Sequence, residues 1–268
     1  MKQVNAKILS NSRIKAGYYK LILDTREIKE TFKAGQFVNV RVDEGMKSLL
    51  RKPFSVFSAS KKPPRLGIFY RVVGKGTKIL SRKVKGEKLD IIGPLGNGYK
   101  LPEKNTPVIL IGGGTGLASL AFLAETLVKE GFKDIMVLLG FKDRANMVCY
   151  NEFKQMGCPV GLATEDGCKG FKGCVPDLLE SVLKDADPST VVYACGPKGM
   201  LRKTAVITKK YFLKFYVSLE EYMACGVGAC MGCVVKTRPH KAQANNKFVY
   251  KTVCKDGPVF DAMELVWE

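Results

Sequence analysis

Val108-Ile109-Leu110-Ile111-Gly112-Gly113-Gly114-Thr115-Gly116-Leu117-Ala118 is the stretch on which the fold turns. A continuous run of branched apolar residues predicts a strand buried on both faces, as in a parallel sheet. The glycines that follow permit a tight turn. Leu117 to Glu130 then carries helical periodicity, and Gly131 stops it. This order leaves unpaired N–H groups at a helix start, which suits a pyrophosphate. The bland alternative is a glycine turn needed only for packing. The stretch also departs from the usual dinucleotide fingerprint. Leu117 stands where the third glycine would be, and the next strand ends Leu139-Gly140-Phe141 without a carboxylate for a ribose hydroxyl. The uncharged run from Asn105 to Ala124 is just long enough to cross a bilayer, but Pro107 and the glycines favour strand, turn and helix instead.

Beyond it, Ile135 to Leu139 predicts a second buried strand. Val191 to Cys195 predicts a third, followed by Gly196-Pro197 and a helix over Lys198 to Lys210. Strands alternating with helices predict a parallel α/β sheet over residues 101–215. Residues 1–100 have another character. Tyr18 to Leu23, Gln36 to Val42 and Leu66 to Val73 are short, rich in branched and aromatic residues, and separated by turns. They predict a small barrel or sandwich, with one short helix near Lys75 to Lys83. Residues 216–268 change again, with cysteine and glycine crowded into Cys225 to Cys233 and a polar loop from Arg238 to Lys247.

The 268 residues suit two or three modules, and 46% hydrophobic with 26% charged residues is a globular composition that excludes a disordered or collagen-like chain. The formal charge of +19 points to an acidic partner, a nucleic acid or a membrane surface, unless it reflects only a lysine-rich proteome. Nine cysteines, an odd number, with no apolar leader in the first residues, lead to the expectation of a reduced, cytoplasmic compartment.

Cys225-x4-Cys230-x2-Cys233, then twenty intervening residues to Cys254, is the most specific signal in the chain. It is the plant-type spacing for a [2Fe–2S] cluster, whose iron and sulfide core must be enclosed by soft anionic thiolates. Gly226, Gly228 and Gly232 let backbone amides approach the sulfurs. Zinc is the rival metal, although its sites usually pair two Cys-x2-Cys units and only Cys230 and Cys233 form one. Cys158, Cys168 and Cys174 are either free thiols or a second metal site. Arg51-Lys52-Pro53-Phe54-Ser55 packs cations, a ring and a hydroxyl into one predicted strand. It could hold a flavin, or be only a charged strand end. Gly74-Lys75-Gly76-Thr77 could hold phosphate through its amides.

Taken together, these segments resemble the ferredoxin-NADP reductase superfamily and, within it, the family of electron-transfer subunits of type B dihydroorotate dehydrogenases. The resemblance covers essentially the whole chain. It implies an antiparallel β-barrel for FAD (residues 1–100), a parallel α/β domain for NAD(H) (101–215) and a small [2Fe–2S] domain (216–268). Lys52-Pro53-Phe54-Ser55 matches the family's flavin strand, with lysine at its arginine position and Arg51 one place early. Phe69-Tyr70-Arg71 and Gly76-Thr77 match its second and third flavin segments, and Gly112, Gly113, Gly114, Thr115 and Gly116 its nucleotide loop. Cys195-Gly196-Pro197 matches the segment beside the nicotinamide. Ser218 to Cys230 and Val253 to Phe260 match the cluster loop and its closing cysteine. The implied cluster ligands are Cys225, Cys230, Cys233 and Cys254.

The implied activity is electron transfer between NAD(H), FAD and the cluster, to or from an FMN-containing catalytic subunit that interconverts dihydroorotate and orotate. Two copies of each subunit are expected. No catalytic acid or base is expected, and His240 is assigned no role. Lys142 and Arg144 could meet a 2′-phosphate, while the resemblance favours NADH. The rivals are the reductase component of an oxygenase and the flavin subunit of a sulfide dehydrogenase or transhydrogenase. The aspartate that some of the last use at a cluster position is replaced here by Cys225. An iron–sulfur sensor binding nucleic acid is more remote, because no recognition helix or stacking platform is visible. Neither nucleic acid nor membrane is an expected partner.

Overall fold

A computed structural model describes residues 1–43, 45, 48–239 and 247–267; His240 lies outside them. The chain begins with six antiparallel strands closed into a barrel: β1 (Lys2–Lys15), β2 (Tyr18–Asp24), β3 (Phe37–Arg41), β4 (Lys52–Lys61), β5 (Pro64–Arg71) and β6 (Lys88–Leu95). Their order around the barrel is β1-β2-β5-β4-β3-β6. Closure removes exposed edges. The period of two fills the lumen: Val4, Ala6 and Ile8 of β1, Leu21 and Leu23 of β2, and Val38 and Val40 of β3 are buried. The short helix α1 (Lys75–Leu80) lies between β5 and β6.

A second sheet follows, of β7 (Val108–Gly113), β8 (Ile135–Phe141), β9 (Val160–Thr164), β10 (Phe171–Lys172), β11 (Val191–Cys195), β12 (Lys214–Ser218) and β15 (Val259–Asp261). Their order is β10-β9-β8-β7-β11-β12-β15. All pairs are parallel except β12 with β15. The run from Asn105 to Ala124 resolves into β7 and the start of α2 (Leu117–Lys129), and no described helix is long and apolar enough to cross a membrane. Leu117 through Ala124 are all buried, because α2 packs into the same apolar core as the barrel. Helices α3 (Tyr150–Gln155), α4 (Val175–Val182) and α5 (Lys198–Lys210) complete the layers.

The expected boundary at residue 215 falls inside β12. The C-terminal residues leave the sheet after Ser218, form the cysteine loop and the hairpin of β13 (Val234–Thr237) with β14 (Val249–Thr252), and return as β15. Ser218 pairs with Val259 across β12 and β15.

Candidate functional site

A cavity of about 360 Å³ lies between the barrel wall and the segment that follows β12. Lys52, Pro53, Phe54 and Ser55 of β4 and Phe69, Tyr70 and Arg71 of β5 line it, with Thr77 of α1. The ladder places β4 and β5 side by side, which brings these distant segments together. Gly76 lies on an adjoining depression with Lys52 and Thr77, and a Cβ there would come within 2.8 Å of Lys52 Cε. The Thr77 hydroxyl accepts from the N–H groups of Val73 (3.0 Å) and Gly74 (3.2 Å), and so fixes that turn. Arg51 is committed elsewhere, donating to the Asp90 carbonyl (2.9 Å) and pairing with its carboxylate, so Lys52 is the cation that the strand offers. Aromatic walls with a cation and a backbone turn at one end fit an isoalloxazine and a pyrophosphate.

Sequence reasoning missed the far wall of this cavity, where Glu220 and Glu221 stand with Leu219 and Met223. Glu220 is crowded by protein, and this desolvation pushes its carboxyl above the ordinary range, yet its surface stays open to the cavity.

A second cavity, of about 390 Å³, opens at the carboxyl ends of the parallel strands. Gly113, Gly114 and Pro197 line it from the sheet, and Tyr18 and Arg71 from the barrel. Arg71 therefore belongs to both cavities. Gly112 lies beneath, where a Cβ would come within 2.2 Å of Leu117 Cδ2; the leucine that broke the fingerprint fills this space. Gly116 presses against the backbone of Cys195 and Gly196, while Thr115 faces the first cavity. Cys195 is buried, and desolvation, reinforced by the nearby Glu220 carboxylate, pushes its thiol up, so it stays protonated. A carboxylate does stand one strand further out: Glu165, just past β9, lines the cavity beside the end of β8, its N–H donating to the Phe141 carbonyl (3.1 Å). Arg144 instead offers its carbonyl to Lys15 of the barrel.

The cysteine loop gathers its thiols as two adjoining pairs, Cys225 with Cys230 and Cys233 with Cys254. Among the described residues, no three His, Cys, Asp or Glu side chains are grouped to hold a single metal ion. Amides are aimed at the sulfurs: Val227 and Cys230 donate to Cys225 Sγ (3.5 and 3.4 Å), Gly228 to Cys254 Sγ (3.1 Å) and Cys254 to Cys233 Sγ (3.4 Å). N–H groups turned toward sulfur suit an anionic iron–sulfur core. Burial pushes the Cys225 thiol up, but these donors outweigh it and bring it down to about 6. Cys254 is pushed up to about 12 by burial and by its neighbour Cys233. Cys158 is buried and Cys168 exposed, and Cys174 donates to Asp177 (2.6 Å) on the wall of the second cavity.

Comparison with known proteins agrees with this geometry. Residues 220–266 match the iron-sulfur cluster binding domain of dihydroorotate dehydrogenase B, and residues 110–205 match the oxidoreductase NAD-binding domain. The dihydroorotate dehydrogenase B (NAD(+)) electron transfer subunit of Desulforamulus reducens is 38% identical, covering 100% of this chain and 99% of its own. The subunit of the same name from Geobacillus kaustophilus is 41% identical over 92% of each chain. Among solved structures, a chain of an NADH-dependent reduced ferredoxin-NADP oxidoreductase, studied for flavin-based electron bifurcation, superposes with a TM-score of 0.83 at 28% identity. That match covers 98% of this chain and 90% of the other. Phthalate dioxygenase reductase shares the fold, with a TM-score of 0.68 at 17% identity over 94% of each chain.

Proposed function

Because the chain belongs to the family of dihydroorotate dehydrogenase B electron transfer subunits, we propose that it carries electrons between the FMN-containing catalytic subunit and NAD(+) in the oxidation of dihydroorotate to orotate. One observation supports the route above all. The segment Ser218 to Met223 lines the first cavity, Cys225 begins the cluster loop two residues later, and Arg71 joins that cavity to the second. Bound in these places, FAD would exchange electrons in pairs with a nicotinamide and singly with an iron–sulfur cluster.

The chain's own residues bind and orient. Lys52, with the turn at Gly76 and Thr77, would hold the flavin pyrophosphate. Pro53, Phe54, Ser55, Phe69 and Tyr70 would frame its ring, and Arg71 would stand between flavin and nicotinamide. Gly112 to Gly116 and Cys195-Gly196-Pro197 would cradle the dinucleotide, and Glu165 would accept a ribose hydroxyl and repel a 2′-phosphate, favouring NADH. Cys225, Cys230, Cys233 and Cys254 would hold the cluster. Glu220, its carboxyl raised by desolvation, would stand at the wall of the flavin cavity. By the chemistry they carry, the proposed units are residues 1–100, 101–215 and 216–268, with β12 running across the last boundary; two copies of each subunit form the complex, and nine unpaired cysteines support a cytoplasmic setting.

The test is an anaerobic preparation assayed for FAD, iron and sulfide, with its visible spectrum. One equivalent of FAD, with iron and sulfide in equal amounts, is expected. FAD without iron would leave a plain flavin reductase, and colourless protein that resists reconstitution would end the reading. The likeness to the bifurcating oxidoreductase supplies a second reading, a transhydrogenase subunit. Orotate reduction by NADH with the co-purified partner decides for the first.

A further inference from the structure

Asn39 lies in the middle of β3, in register with Pro53 of the flavin strand, which lines the first cavity. Its side chain is 1% exposed. Nδ2 donates to the carbonyl of Cys225, 3.2 Å away, and so ties a barrel strand to the first cluster cysteine. The contact is close: a Cβ on Gly226 would fall 2.3 Å from Nδ2, and Gly226 has φ +68, so the loop can pass here only with glycine. Oδ1 has no hydrogen-bond partner, the one such buried side-chain atom among the described residues. An unpaired buried amide oxygen costs stability, so Asn39 is a poor choice for holding a fold together. Its neighbour Phe37 lines the flavin cavity and packs in the same apolar cluster as Cys233 and Cys254, so β3 touches both proposed cofactor places. The other arm is braced in parallel, where Asn97 Nδ2 donates to the carbonyls of Lys255 and Asp256 (3.0 Å each), just past Cys254.

We infer that Asn39 is a positioning residue for electron transfer, fixing the cluster loop at one separation and orientation from the flavin strand. The inference rests on the flavin and cluster reading above. In the NADH-driven direction each transfer removes one electron from reduced flavin and adds it to the oxidised cluster, and no bond between them forms or breaks. Such a step weakens steeply with distance, so loosening the brace slows it without touching hydride transfer.

The experiment uses the full-length holoprotein, anaerobic stopped-flow mixing with NADH, and electron paramagnetic resonance of the reduced cluster. In Asn39→Leu, flavin bleaching by NADH should stay within about twofold of the parent, while cluster bleaching slows about tenfold or more. The resonance line shape should shift, and Tm should change little, because the bond lost at the Cys225 carbonyl is offset by removal of the unpaired Oδ1. If Asn39→Leu does not retain iron, Asn39→Gln is read instead; it keeps the amide but lengthens its arm, and must show the same split between the two phases. Unchanged cluster bleaching and line shape in the iron-loaded variant would overturn the inference, as would a fall in Tm with both phases unchanged. Iron or FAD missing from the parent protein is a different failure, that of the underlying reading, and it is visible before any variant is made.

Discussion

Cys225 and Cys254 belong to one loop system but differ in charge state. Amide donors hold the first at about 6, and burial beside Cys233 pushes the second to about 12. A depressed thiol is thiolate at pH above its own value, and thiolate is the form that alkylates. In protein stripped of its cluster, iodoacetamide near neutral pH should therefore label Cys225 well before Cys254, read by peptide mass spectrometry over time. Equal rates at the two would contradict the amide arrangement. The gathering of the four cysteines was legible in the sequence because cluster chemistry imposes a spacing, and the structure brings those thiols together. Glu220, Glu165 and Asn39 were not, because a carboxylate or an amide has no spacing of its own. Each enters a site only through tertiary packing of strands far apart in sequence. Lys52 was legible as a cation on a strand, and it lines the first cavity. That Arg51 is not its equal became visible only with Asp90 of β6 placed beside it.

Among the elements, the start of α2 is pressed directly against backbone. Gly116 has ordinary helical geometry, but a Cβ there would come within 2.5 Å of the Cys195 carbonyl carbon and oxygen and within 2.7 Å of the Gly196 nitrogen. Neither side can yield locally, because both are backbone. Gly116→Ala should push the start of α2 away from the Cys195–Gly196 turn, costing about 1–3 kcal/mol in stability and, if the two form the proposed nucleotide site, weakening NADH binding about tenfold or more. Thermal melts and nucleotide titration check both, and unchanged binding would show that the loops do not act together. The α/β elements were readable because buried parallel strands and amphipathic helices have distinct periods, and β7, α2, β11 and α5 stand where those periods predict. The strand pattern alone left barrel and sandwich open, since a period of two fixes which face is buried but not which strands meet; the family resemblance implied the barrel, and the structure has it. Nor was β15 readable, because three residues are too few to show a period.

For the whole molecule, the charge of +19 bears on encounter with the partner subunit. If it steers a more acidic surface, raising salt from about 50 mM to about 500 mM should slow association while changing dissociation little. Surface plasmon resonance on the two purified subunits measures this, and a flat salt response would make the lysines compositional. The third module was legible as chemistry but not as architecture. Its cysteines announce it, yet its flanking strands are shared with the nucleotide sheet, so the change in composition after residue 215 does not mark a break in structure. The pairing of Ser218 with Val259 places the exit and re-entry of this excursion shoulder to shoulder. With Ser218 and Pro258 both on the wall of the first cavity, a loop that leaves and returns through this one doorway begins and ends its circuit at that cavity's threshold, so any movement of the terminal electron carrier is felt there first.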